Sequence, residues 1–169
     1  MRNSEYFYVQ GPNNMLEMTL PINSMNPADG YLHSHPQGAL SIFSATDIKT
    51  IYDGWVTLGI NNLETFTAGV VTASGTTYML KVEDKNAFMN FATANLKYQN
   101  NFEAFEYWYQ IYGITENNST GNVEAGFVNL INNKFNTGLK LFKGNTQNFG
   151  QWNLREYNQG SVINSNCDN

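Results

Sequence analysis

Cysteine, histidine and charge are all scarce in this chain of 169 residues. The single cysteine, Cys167, sits in a polar tail, which excludes an internal disulfide framework and a cysteine-based zinc site. Charged residues make up only 14%, and 9 Lys and Arg against 14 Asp and Glu leave a formal net charge of −5. Nucleic acid therefore finds no basic face to meet its phosphates. No run of like charge exists, so a polybasic membrane patch is also missing. The apolar stretches are too short to span a bilayer. The opening "MRNSEYFYVQ" lacks the apolar core of a secretory signal. The expectation is a cytoplasmic chain, or a piece of a longer exported protein.

What is plentiful is asparagine and aromatic carbon. Hydrophobic residues reach 41%, with ten Tyr and eleven Phe, enough for a sizeable core. Asn pairs recur at 13–14, 61–62, 100–101, 117–118 and 132–133, but aromatic and aliphatic residues stay dense between them. That density argues for polar turns rather than a low-complexity tract.

Along the chain, "EYFYV" and "MLEMTL" have the character of short strands, separated by the turn-rich "QGPNN". "GYLHSH" is a third strand. "SATDIKTIYDGW" opens a helix, with Ser44 as N-cap, Asp47 at the N3 position, and Ile48 and Ile51 on one face. Two β-branched runs flanking "ASG" predict a hairpin over 65–82, turning at Ser74–Gly75. Helical spacing then takes over through 84–135, and Phe88, Phe91, Phe105, Trp108 and Phe127 are its expected core. The aromatic stretch "FEAFEYWYQIY" belongs to such a core or to a partner interface before it suggests a ligand platform. Domain organisation is expected as a compact unit over 1–85, a mainly helical extension over 86–157, and a polar, disordered tail over 158–169.

The chain's two histidines, His33 and His35, lie one residue apart. Alternate residues of a strand point the same way, so both imidazoles face one side while Leu32 and Ser34 face the other. Asp47, in the first turn of the next helix, can fold back to add an oxygen. Two imidazoles and a carboxylate leave a fourth tetrahedral position open, the pattern of catalytic rather than structural zinc. The plainer alternative is two ordinary histidines of the surface or core. A phosphoesterase-type site is a poorer match, because such sites recruit further His and Asp ligands and this chain has no third His.

"HSHP" followed by "SATD" resembles the JAMM motif (also MPN+ or JAB) of zinc metallopeptidases and isopeptidases, in a divergent bacterial form. The resemblance covers roughly residues 1–85. It implies an α+β fold, a JAMM-like (cytidine deaminase-like) mixed sheet with flanking helices, here followed by the helical extension. It also implies that His33, His35 and Asp47 hold Zn2+, that Ser44 helps to stabilise an oxyanion, and that an upstream Glu is the general base. Eight residues, Pro36 to Phe43, separate His35 from Ser44, one more than the family usually has. Glu5, at the head of "EYFYVQG", is the preferred base and Glu17 its rival; a chain that lacks the base is the third alternative. The implied activity is metal-assisted hydrolysis of a peptide or protein substrate, and the competing expectation is a JAMM-like binding or assembly module without catalysis.

Overall fold

The computed structural model describes residues 5, 6, 8–11, 20–145, 147, 148 and 150–165. Six strands form one mixed sheet in the order β1-β2-β3-β4-β5-β6. They are β1 (Gly30–His35), β2 (Thr67–Thr72), β3 (Thr77–Val82), β4 (Leu139–Gly144), β5 (Trp152–Asn158) and β6 (Ser161–Ser165). β1 and β2 are parallel, and every later pair is antiparallel. The helices are α1 (Ala45–Val56), α2 (Lys85–Asn95), α3 (Gln99–Ile111) and α4 (Thr120–Asn129), the last continuing into a π-helical turn at Leu130–Lys134. Parallel neighbours need a crossover, and α1 supplies the one between β1 and β2.

Period-2 alternation decides which sheet face the helices cover. Val70, Tyr78, Leu80 and Leu141 are buried, whereas their strand neighbours Val71, Thr77, Met79, Lys81 and Phe142 are only partly covered. Register carries His33 beside Val70, so both histidines lie on the helix-covered face. On the opposite face, Leu32, Gly69, Met79, Phe142 and Leu154 fall in one cross-strand row.

The helical segment packs as its aromatic spacing predicts. Phe88, Phe91, Phe105 and Phe127 are buried and Trp108 is half-buried. Phe91 and Phe105 meet edge-on at 5.2 Å, and Tyr109 reaches Phe127 at 6.3 Å. Glu124 of α4, almost fully buried, ties the helices to the sheet. Its carboxylate accepts from the Tyr78 hydroxyl at 2.7 Å, from Lys143 at 2.7 Å and from Arg155. Burial pushes the Glu124 pKa up, but these three donors outweigh it and hold the carboxyl below its usual range.

The hairpin over 65–82 forms with Gly75 at φ 80°, a backbone state that glycine adopts without steric cost. Two expectations change, and a third falls outside the described residues. Residues 5, 6 and 8–10 belong to no strand, so Glu5 does not open one; a short aromatic segment without a pairing neighbour gains no ladder bonds. "MLEMTL", with Glu17, lies outside the described residues, as does Cys167. The segment expected as a disordered tail contributes β6, whose residues pair with Leu154–Asn158. The sheet therefore runs across the boundary expected at residue 85, and the C-terminal part is helices followed by three strands.

Candidate metal centre

β1 and the first turn of α1 build the site. Strand alternation projects Tyr31, His33 and His35 to the helix-covered face, while Leu32 stands on the other, 66% exposed. α1 begins where sequence chemistry says it should. Ser44 is the N-cap, and with Asp47 it forms a reciprocal capping box. The Ser44 hydroxyl accepts the Asp47 backbone N–H at 3.1 Å, and the Ser44 N–H donates to Asp47 Oδ2 at 2.6 Å. The same hydroxyl donates its hydrogen to Oδ2 at 2.9 Å. Two donors thus occupy Oδ2, while Oδ1 turns to His33.

Both imidazoles are fixed from behind. His33 Nδ1 donates to the Gly69 carbonyl at 2.8 Å, and His35 Nδ1 donates to the Leu40 carbonyl at 2.8 Å. A carbonyl only accepts, so each Nδ1 carries the hydrogen and each Nε2 is left with a lone pair in the neutral ring. These two lone-pair atoms face each other at 3.0 Å. His33 Nε2 stands 3.1 Å from Asp47 Oδ1, and His35 Nε2 stands 3.4 Å from Oδ2. Three acceptor groups this close repel one another unless a cation sits among them, either a shared proton or a metal ion.

The donor set fits a metal. Zinc bonds of about 2.0–2.1 Å place tetrahedral donors roughly 3.3 Å apart, so the observed spacing needs only slight opening. Among the described residues, His33, His35 and Asp47 are the group able to hold a metal ion. The Nδ1 bonds to backbone carbonyls are the outer support that metal-ligating histidines require.

The electrostatics agree with a cation site. Burial lifts the Asp47 pKa, but hydrogen bonds that His33 and His35 donate from Nε2 in their protonated form, then the Ser44 N–H, hold it far below the usual carboxylate range. For His35 burial pulls downward, and Asp47 together with the Leu40 carbonyl more than offsets it, leaving the pKa raised.

Of the residues singled out from sequence, His33, His35, Asp47 and Ser44 come together in one place. Glu5 is exposed and is not among the clustered ligands, and Glu17 lies outside the described residues. Ser44 directs its hydroxyl hydrogen to Asp47, so as it stands Ser44 acts as the brace of a ligand. Sequence reasoning passed over Tyr31, whose ring packs on His33 at 5.6 Å and whose hydroxyl donates to the Asp47 backbone carbonyl at 3.4 Å. Its place two residues before His33 was the available signal. Burial, then the Asp47 charge, raise the Tyr31 pKa above its ordinary value, which keeps that hydroxyl a donor. Phe43 closes the inner side, 6.2 Å from His33.

No protein family, curated protein or solved structure matches this chain. No helix among the described residues is long and apolar enough to cross a membrane.

Proposed function

We propose that this chain is a zinc-dependent hydrolase of peptide or isopeptide bonds, of the JAMM type that its H-x-H-P and S-x-x-D motifs resemble. One observation carries the reading: two Nε2 lone pairs and one carboxylate oxygen converge with both Nδ1 atoms already committed. Zinc, when bound, supplies Lewis-acid polarisation of the scissile carbonyl and acidifies water toward neutrality.

The chain's own residues do the rest. His33 and His35 would hold the ion through Nε2, and Asp47 would hold it through its carboxylate. Their backbone and capping bonds keep the three donors from swinging out of place. A set of three protein ligands would leave room at the ion for water or substrate. Ser44, beside Asp47, is the proposed donor to the developing oxyanion; to serve, its hydroxyl must turn from Oδ2 when substrate arrives. Glu5 is the proposed base that takes a proton from the attacking water and returns it to the leaving amine. Glu5 is exposed, and Glu17 is the rival for the role.

A second reading has its own support. Among the described residues no carboxylate besides Asp47 joins the two histidines. A chain with the ligands but without the base is a metal-holding binding or assembly module.

Zinc-reconstituted protein assayed against a peptide library and a lysine-isopeptide library tests both. The hydrolase reading expects cleavage that Glu5→Gln reduces by about 10²–10⁴-fold with zinc retained, the size of a general-base contribution. Loss in Glu17→Gln instead moves the base to that residue. Full zinc loading with no cleavage in either library favours the binding module.

A further inference from the structure

We infer that the cleft between the end of α3, the start of α4 and β5 is a binding site for a neutral saccharide. The cleft, of about 560 Å³, is lined chiefly by Trp108, Tyr112, Tyr157, Asn118, Asn122 and Asn129, and no charged side chain lines it. Its volume is in the range of small-molecule sites. None of the residues of the metal centre belongs to it, so the inference is independent of the hydrolase reading.

The lining combines two chemistries. Three aromatic rings offer flat apolar surface, which suits the C–H face of a pyranose ring. Amide side chains offer donors and acceptors without charge, which suits hydroxyl groups. Several of these polar atoms bond to nothing among the described residues: the Trp108 indole N–H, the Tyr112 and Tyr157 hydroxyls, Asn122 Oδ1 and the Asn129 amide nitrogen. A proline-rich peptide presents carbonyls and few donors, and so leaves the acceptor Asn122 Oδ1 unmatched.

Hydrogen bonds tie the walls together, which favours a preformed site. Asn118 donates to the Gly113 carbonyl at 2.9 Å and accepts from the Ser119 N–H at 2.9 Å and from Asn122 at 3.1 Å. Asn129 accepts from Asn133 at 3.0 Å. The Lys134 ammonium covers one face of the Trp108 ring, 4.0 Å from its centroid. At the floor, a Cβ on Gly126 would stand 2.1 Å from the Tyr112 carbonyl, so α4 presses directly on the end of α3.

Nuclear magnetic resonance of the whole ¹⁵N-labelled chain tests the inference. The chain has three tryptophans, and Trp108→Phe identifies which indole N–H signal belongs to Trp108. Cellobiose, maltose and N,N′-diacetylchitobiose are titrated to about 10 mM, since a shallow cleft gives affinities near the millimolar range. The expected result is a saturable shift of the Trp108 signal with at least one disaccharide. Asn122→Ala, an exposed change with little risk to folding, and Tyr157→Ala should each weaken that binding at least tenfold. No shift with any of the three overturns the inference, as does an equal shift in both variants. A response to a polyproline peptide but to no disaccharide also overturns it.

Discussion

Ser44 Oγ and Asp47 Oδ2 lie 2.9 Å apart, and that hydrogen bond joins the start of a helix to a carboxylate of the candidate metal centre. Each backbone N–H also donates to the other residue's side chain, at 2.6 and 3.1 Å, so the cap cannot loosen without freeing the Asp47 carboxylate. Ser44→Ala should therefore do two things. It should cost about 1 kcal/mol of stability through the lost cap. It should also weaken zinc binding by about 10–100-fold through the lost support of Asp47. Chemical denaturation and competitive zinc titration measure these separately, and an unchanged zinc affinity would show that Asp47 is held without Ser44.

The centre also sets how stability depends on pH. In the metal-free protein the His35 pKa is raised above its ordinary 6.5, so its contribution is complete below that value and is lost as pH rises through the folded pKa. The Asp47 pKa is lowered from 3.8, so its contribution is present above that value and is lost as pH falls through the folded pKa. The metal-free pair is thus strongest between about pH 4 and 6.5. Zinc needs deprotonated imidazoles, so its added stabilisation runs the other way. Thermal unfolding with and without zinc should show a larger gain in Tm at pH 8 than at pH 5.5. An equal or larger gain at the acidic pH would contradict the ligand set.

Glu124 is the buried charge on which α4 and three strands meet. Glu124→Ala leaves Lys143 and the half-buried Arg155 without their acceptor, and the Tyr78 hydroxyl with them. The cations left behind are only partly buried, so the loss should fall below the ~3–5 kcal/mol of a fully buried broken pair, at about 1–3 kcal/mol. Zinc binding in the protein that remains folded should be unchanged, because Glu124 is not among the ligands. Urea titration and zinc titration of the same variant check both halves.

Gly126→Ala places a methyl group against a backbone carbonyl that cannot rotate away. The helix pair must part, and a stability loss of about 1–3 kcal/mol is expected, as for overpacked cores. A neutral result in urea titration would mean that the α3–α4 contact is softer than its geometry.

The elements legible in the sequence are those whose signal is local. The Ser44 cap, the hairpin at Gly75 and the helical spacing of Phe88 and Phe91 each lie within a few residues, and each forms as expected. The histidine pair was legible for the same reason, since strand alternation alone aims both rings together. What was hidden is non-local. β6 is the polar "SVINS", held through pairing with β5 rather than by an apolar pattern of its own. "EYFYV" has the opposite character, rich in strand-forming residues but without a paired neighbour among the described residues. The partners of Glu124 come from strands 31 to 46 positions away or across the α4–β4 connection, beyond any helical period. The carbonyls of Leu40 and Gly69, which set the histidine tautomers, carry no side-chain signature at all.

Zinc stoichiometry by native mass spectrometry tests the central claim most directly, comparing wild type with the His33→Ala, His35→Ala double variant after mild zinc reconstitution. One zinc per wild-type chain and none in the folded double variant is the predicted result. Zinc retained at full stoichiometry by the double variant, or never taken up by wild type, would contradict the metal centre on which the proposed hydrolysis rests.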